Sequence, residues 1–262
     1  MTGTTVRHLT SRDNPLLARV RKLVADGAAY RKLGELWIEG DHLCSAFVTR
    51  GGRATHAVID EVGWAIPRLR ELASTAVSVS IVPVALMNEL STLESPASIG
   101  FMLRWTGSAD LKPGVPTVVL DRLQDAGNVG AILRTASAFG FAQVVAIKGT
   151  VGLWSPKVLR AGMGSHFALS LVEGVEGMAW VDDLRVPLIG TSSHAATTLQ
   201  HAALPWPCGW VLGHEGRGMS TALGERCSAL VSIPQPGGEE SLNVAAAAAV
   251  CLYESVRQRV AR

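Results

Sequence analysis

No run of this sequence is apolar for long enough to cross a membrane. The longest, around residues 244–253, falls well short of the roughly 18–20 residues such a helix needs. The opening string MTGTTVRHLTSRDNP lacks the apolar core of a secretory signal, so a cytoplasmic protein is the expectation. Cysteine is scarce and unpaired: Cys44, Cys208, Cys227 and Cys251 form no C-x-x-C and have no histidine at metal-ligand spacing. They read as buried thiols, not as a zinc site or disulfide framework, and no metal is expected. The pattern G-x-x-x-x-G-K-[ST] is missing, which disfavours a P-loop nucleotidase. No G-x-G-x-x-G follows the first strand of a unit, which disfavours a standard dinucleotide site. Charge is also thin. Only 18% of residues are Asp, Glu, Lys or Arg, and the net charge of +2 does not by itself announce a nucleic-acid binder.

What remains is a globular composition, 48% apolar over 262 residues, enough for one large domain or two modest ones. The string NPLLARVRKLVADG spaces its apolar residues as a helix does, with Asn14 as N-cap, Pro15 in the first turn and Gly27 as a stop. ELWIEG and THAVIDEV read as strands, DHLCSAFVTRGG as a helix ending in glycines, and SVSIVPVAL as a third apolar run before a short polar helix. Residues 1–104 are therefore expected to form a small α/β domain. Arg19, Arg21 and Lys22 belong to a cationic stretch there that is either a solvated helix face or a stripe facing RNA phosphates. RWTGSADLKPGVP has no periodicity and is expected to hold the linker, 105–115. Beyond it, in 116–262, TVVLD, AQVVAIKG, VPLIGTSS, CGWVLGHEG and ALVSIPQPGG are short runs rich in β-branched residues, separated by helical stretches. Near-continuous apolar strands alternating with helices predict a parallel sheet covered on both faces, with ligands at the carboxyl ends of its strands.

Polar residues gather at three of those ends. After TVVLD, Asn128 reads as a helix cap or as a group in the loop mouth. Arg134, six residues on, lies about 120° short of a second full circuit, either a surface cation or a group directed at a neighbouring surface. In GWVLGHEGRGMS, the glycines at 213, 216 and 218 allow a tight turn that holds Glu215, a weak signal on its own. In IPQPGGEESLNVAAAAAVCLYE, Gly237 and Gly238 permit a bend that returns Glu240, Ser241 and Asn243 over the sheet. Ser241 suits the N-cap of the final helix, and the alanine run offers a thin surface for close packing.

Together NVGAILRTASAFG, VLGHEGRGMS and IPQPGGEESLNVAAAAAV resemble, in order and spacing, the three motifs of the SpoU-type (TrmH-like) RNA ribose 2′-O-methyltransferases of the SPOUT superfamily. LWSPKVLRAGMGSHFAL between them is also similar, and SRDNPLLARVRKL…ELWIEGDHL resembles the substrate-binding domain of the ribosomal-RNA and antibiotic-resistance branch. The resemblance, over roughly residues 115–258, implies a C-terminal SPOUT domain tied in a trefoil knot, preceded by a small α/β RNA-binding domain, and a homodimer packed through the knot. It implies S-adenosylmethionine as cofactor, lined by Gly213, Ile233 and Leu242 with Thr191 and Glu215 nearby. Arg134 would reach the target phosphate and hydroxyl, from its own or the partner subunit, while Asn128, Glu215, Ser241 and Asn243 position the ribose and the loops. Two departures stand out: Ala245 where serine is common after SLNV, and ESPASIG where an SPQG-like string is common. The substrate implied is ribosomal RNA; the alternatives are a tRNA ribose methyltransferase and a non-catalytic RNA-binding protein on the same scaffold.

Overall fold

In the computed structural model, residues 4–214, 216–238 and 241–260 are described. The first part of the chain runs β1 (Thr5–His8), α1 (Pro15–Ala25), α2 (Ala29–Leu33), β2 (Glu35–Glu39), α3 (Asp41–Thr49), β3 (His56–Asp60), α4 (Glu61–Ala65), α5 (Pro67–Ser74), β4 (Ser78–Val82), α6 (Val84–Asn88) and β5 (Ile99–Arg104). The second runs β6 (Thr117–Leu120), α7 (Ala126–Ala138), β7 (Gln143–Ile147), α8 (Pro156–Gly162), β8 (Ser170–Val175), α9 (Ala179–Leu184), β9 (Leu188–Thr191), β10 (Gly209–Leu212), α10 (Thr221–Gly224), β11 (Cys227–Val231) and α11 (Val244–Val260).

Two compact units result, and they do not follow a single cut in the chain. The first takes the residues up to Gly107 together with Trp154–Phe167; the second takes Ser108–Leu153 and the chain from Ala168 on. The 154–167 segment, which carries α8, groups with the first unit because its side chains pack there. Phe167 meets Phe47 edge-on at 5.0 Å, and Gly164 passes so near Ala46 that a Cβ on it would lie 2.7 Å from the alanine methyl. Residues 105–115 are also tied down. Trp105 donates its N–H to Gly34 O within the first unit, while Ala109 donates to Leu171 O and Gly114 to Leu184 O within the second.

The first unit holds a five-stranded mixed sheet in the order β1-β4-β3-β5-β2, with β5 antiparallel to both neighbours. Helix α1 lays Leu16, Leu17, Val20 and Leu23 into its core, capped as expected by Asn14, whose side chain accepts from the Leu16 N–H. Trp37 covers Gly100 on the paired strand so closely that any larger residue at 100 would strike the indole.

The second unit is a six-stranded, wholly parallel sheet in the order β11-β9-β10-β6-β7-β8. The parallel sheet expected from the apolar runs is present, with one strand more than those runs indicated. Val119, Val145, Leu188 and Val211 pack on one face with Trp180, Val181 and Leu184. Alternate residues Val118, Val144 and Trp210 are fully buried, and the Trp210 indole N–H donates to Ser255 Oγ of α11 at 2.8 Å. Both faces are thus covered over the central strands, as parallel sheets require, whereas the edge strand β11 leaves Ser228, Ala229 and Leu230 exposed. The direction of winding reverses between β6 and β10, where open α/β sheets form ligand crevices.

Candidate functional site

Three loops leave the carboxyl ends of β9, β10 and β11 and face one another. They bound two adjoining cavities of about 330 and 160 Å3, which share Thr191, Ser241, Leu242 and Ala247. Gly213, His214, Gly218, Met219, Asn243 and Val244 complete the larger; Ser192, Ser193, Ile233 and Gln235 complete the smaller. Their joint size suits a small organic ligand. The lining mixes hydroxyls with aliphatic carbons and, among the described residues, carries no Asp, Glu, Lys or Arg. Gln235 Oε1 is buried without a hydrogen-bond partner, an acceptor that a bound donor would satisfy.

Glycine at 213 is dictated by backbone proximity: a Cβ there would lie 2.2 Å from Met219 N. The turn that follows is closed by reciprocal backbone bonds, His214 N–H to Gly218 O at 3.0 Å and Gly218 N–H to His214 O at 2.8 Å, with Gly218 at φ +65°. His214 Nδ1 accepts from the Gly216 N–H, which leaves Nε2 as the donor of the neutral ring.

Of the residues singled out in the sequence, Thr191, Gly213, Ile233, Ser241, Leu242 and Asn243 line the cavities. Asn128 joins them through one hydrogen bond, accepting on Oδ1 from Asn243 Nδ2 at 2.9 Å. Arg134 lies on the exposed side of α7 and lines neither cavity. Glu215 and Glu240 lie outside the described residues. Arg19, Arg21 and Lys22 sit on α1 in the first unit. There Arg19 pairs with Glu35 at 3.0 Å and Arg21 approaches Glu89 at 3.8 Å, while Lys22 is exposed.

Two capping assignments change. Asp125, not Asn128, caps α7, accepting from the Asn128 N–H at 2.7 Å, so that Asn128 stands inside the first turn with its side chain turned to Asn243. Asn243, not Ser241, caps α11, its Oδ1 accepting from Ala245 N–H at 2.9 Å and Ala246 N–H at 3.3 Å. Residue types suited to capping crowd both strings, and only the path of the backbone selects among them. The sequence reading also missed Ser192, Gln235, His214 and Met219. No residue-type signal marks the first two, and the last two flank a glycine turn that was read for its flexibility alone.

The thiols take no part. Cys44, Cys208 and Cys251 are buried and Cys227 partly so, and burial pushes Cys208 and Cys227 up to about 11 and Cys251 to about 12.

Comparison with known proteins adds three findings. Residues 116–253 match the SpoU rRNA Methylase family. An uncharacterized tRNA/rRNA methyltransferase of Synechocystis is 31% identical over 97% of this chain and 95% of its own, whereas a 23S rRNA (guanosine-2′-O-)-methyltransferase of Bordetella pertussis is 40% identical over 54% of this chain and 59% of that one. The crystal structure of the SpoU methyltransferase AviRb of Streptomyces viridochromogenes, in complex with the cofactor AdoMet, superposes with a TM-score of 0.85 at 27% identity, over 94% of this chain and 98% of that one.

Proposed function

We propose that this chain, which belongs to the SpoU rRNA methylase family, methylates a ribose 2′-hydroxyl of RNA, ribosomal RNA before tRNA, with S-adenosylmethionine as methyl donor. The observation that carries the reading is the crevice at the carboxyl ends of β9, β10 and β11, with no Asp, Glu, Lys or Arg among its described lining residues, joined to α7 by the Asn243–Asn128 hydrogen bond. Thr191, Gly213, Ile233 and Leu242 would hold the cofactor, with Gln235 Oε1 as an acceptor for one of its donors. When bound, that cofactor supplies an electrophilic methyl group and its own leaving group.

The protein has to present the hydroxyl in line and assist loss of its proton. Asn128 and Asn243, locked to each other, and Ser241 beside them form the edge on which a ribose would be positioned. Arg134 is a permanent cation and no simple base. Its role would be to hold the phosphate next to the reacting hydroxyl and stabilise the charge that develops there. Its place on the outer side of α7 is consistent with service to the site of a second subunit. An exposed stripe on α11, Ala246, Val250 and Tyr253, together with Leu230 on the edge strand β11, offers apolar surface for that homodimer, in which the last strand and helix would form the knot. Among the described residues no helix is long and apolar enough to cross a membrane, and a cytoplasmic location fits this reading.

The test is a map of ribose methylation across total RNA from cells with and without the gene, paired with calorimetry of the purified protein. Loss of one 2′-O-methyl mark in ribosomal RNA is expected. Loss in tRNA would move the substrate, and a folded protein that binds RNA but no S-adenosylmethionine would make it a binding module.

A further inference from the structure

We infer that Asp121, which lines neither cavity, is a positioning residue that latches the loop at residues 213–220 into the shape that walls the crevice; the inference rests on the methyl-transfer reading of that crevice. Asp121 stands just past the end of β6, beside β10, and donates its backbone N–H to Leu212 O at 2.9 Å. Its side chain is only 1% exposed. A carboxylate so placed is costly unless it is paired and hydrogen-bonded. Here both oxygens are used: Oδ1 accepts from Arg122 Nε at 2.8 Å, and Oδ2 accepts from the backbone N–H of Ser220 at 2.7 Å.

Ser220 closes the loop and opens α10, and that N–H would otherwise be an orphan donor at a helix start. The loop is therefore held at both ends. At its entrance, Gly213 touches the backbone of Met219, and at its exit Asp121 grips Ser220. Between these two points lie His214, Gly218 and Met219, three of the residues that line the larger cavity.

The residues around Asp121 are arranged to sustain the grip. Arg122 adopts φ +61°, a left-handed conformation unusual for a residue with a side chain, and so returns its guanidinium to the carboxylate of its own neighbour. Gly149, itself at φ +98°, leaves room for that arginine: a Cβ there would lie 3.3 Å from Arg122 Cγ. Thr150 Oγ1 donates to Leu120 O at 3.1 Å, and Val151 N–H donates to Leu123 O at 2.8 Å, bracing the same turn.

The experiment compares the full chain with Asp121→Ala, Asp121→Asn and Ser220→Pro. The last deletes the N–H donor at a residue whose φ of −64° proline accepts, and it leaves the carboxylate intact. S-adenosylmethionine affinity is read by calorimetry, RNA affinity by filter binding, and loop closure by the rate of tryptic cleavage after the exposed Arg217. Asp121→Ala and Ser220→Pro are each expected to weaken cofactor binding roughly tenfold or more, as loss of a charged hydrogen bond predicts. Both should speed cleavage after Arg217 with RNA affinity unchanged. Asp121→Asn, whose amide oxygen can still accept from Ser220 while its NH2 meets the Arg122 donor, should recover part of the affinity. Wild-type affinity and cleavage in a folded Ser220→Pro protein would overturn the latch, as would equal loss in Asp121→Asn and Asp121→Ala. A wild-type protein that binds no S-adenosylmethionine would instead overturn the methyl-transfer reading, while the cleavage rates would still report the latch.

Discussion

Asn243 serves two partners with one side chain: its amide nitrogen donates to Asn128 and its amide oxygen caps α11. The two roles can be separated. Asn243→Asp keeps the cap and loses the donor, so its melting temperature should stay near the wild-type value while methyl transfer falls. Asn243→Ala should lose both, with about 1 kcal/mol of stability going with the cap. Arg134→Ala should lower turnover about a hundredfold or more, the scale of a lost charge-stabilising donor, with S-adenosylmethionine affinity within a few-fold of wild type. Normal turnover on the native RNA would remove the role proposed for it. In the first unit, His56 lies between Ser78 Oγ on Nδ1 and Ser80 Oγ on Nε2. Burial, with the nearby Arg7 and Arg19 cations, lowers its pKa from 6.5 to about 4. Between those values the unfolded chain binds a proton that the folded one does not, so His56 makes stability fall as pH drops through that window. Urea titrations should show a shallower acid-side loss in His56→Gln than in wild type.

At the scale of elements, α1 shows how tertiary contacts change the meaning of a cationic stripe. Arg19 and Arg21 lie against Glu35 and Glu89, so part of their charge is already answered, whereas Lys22 faces water. These pairs are only partly exposed, yet ion pairs near a surface contribute modestly to stability, which leaves the arginines able to exchange a carboxylate for a phosphate. Replacing all three with alanine should weaken RNA binding and flatten its salt dependence. Lys22→Ala alone should reduce the slope of log affinity against log salt by about 1. An unchanged slope would return the stripe to plain solvated surface. The helices α1, α3, α7, α8 and α11 were each legible from their spacing or flanking residues. Strands β1, β5 and β8 were not. β1 is exposed along its whole length and so lacks an apolar pattern, and β5 stops at Arg104, directly against the expected linker. β8 carries Glu173 and Gly174 in its second half, which breaks the run of β-branched residues that marked the other strands.

At the scale of the whole molecule, the apolar stripe of Val250 and Tyr253 on α11 predicts self-association. Light scattering on the purified chain should report a dimer, and Val250→Asp with Tyr253→Glu should shift it toward monomer. If Arg134 serves a second subunit, that double variant should lose methyl transfer together with the dimer. The grouping of Trp154–Phe167 with the first unit also belongs to this scale. Its residues follow β7 in the chain, and nothing in their composition announces that they pack beside Ala46 and Phe47.

The sequence by itself determined five of the six parallel strands, because β-branched stretches ending in Gly, Ser, Asp or Pro have few other stable uses, but it did not show β8 or the exposure of the edge strand β11. It also placed the polar clusters at their carboxyl ends. Only the tertiary structure decided the strand order, the meeting of Asn128 with Asn243 across 115 residues of chain, and the burial of Asp121 against Ser220. Periodicity is a local property, read over a turn or two. A hydrogen bond between distant loops depends on which strands lie side by side, and that is set by packing of the whole sheet.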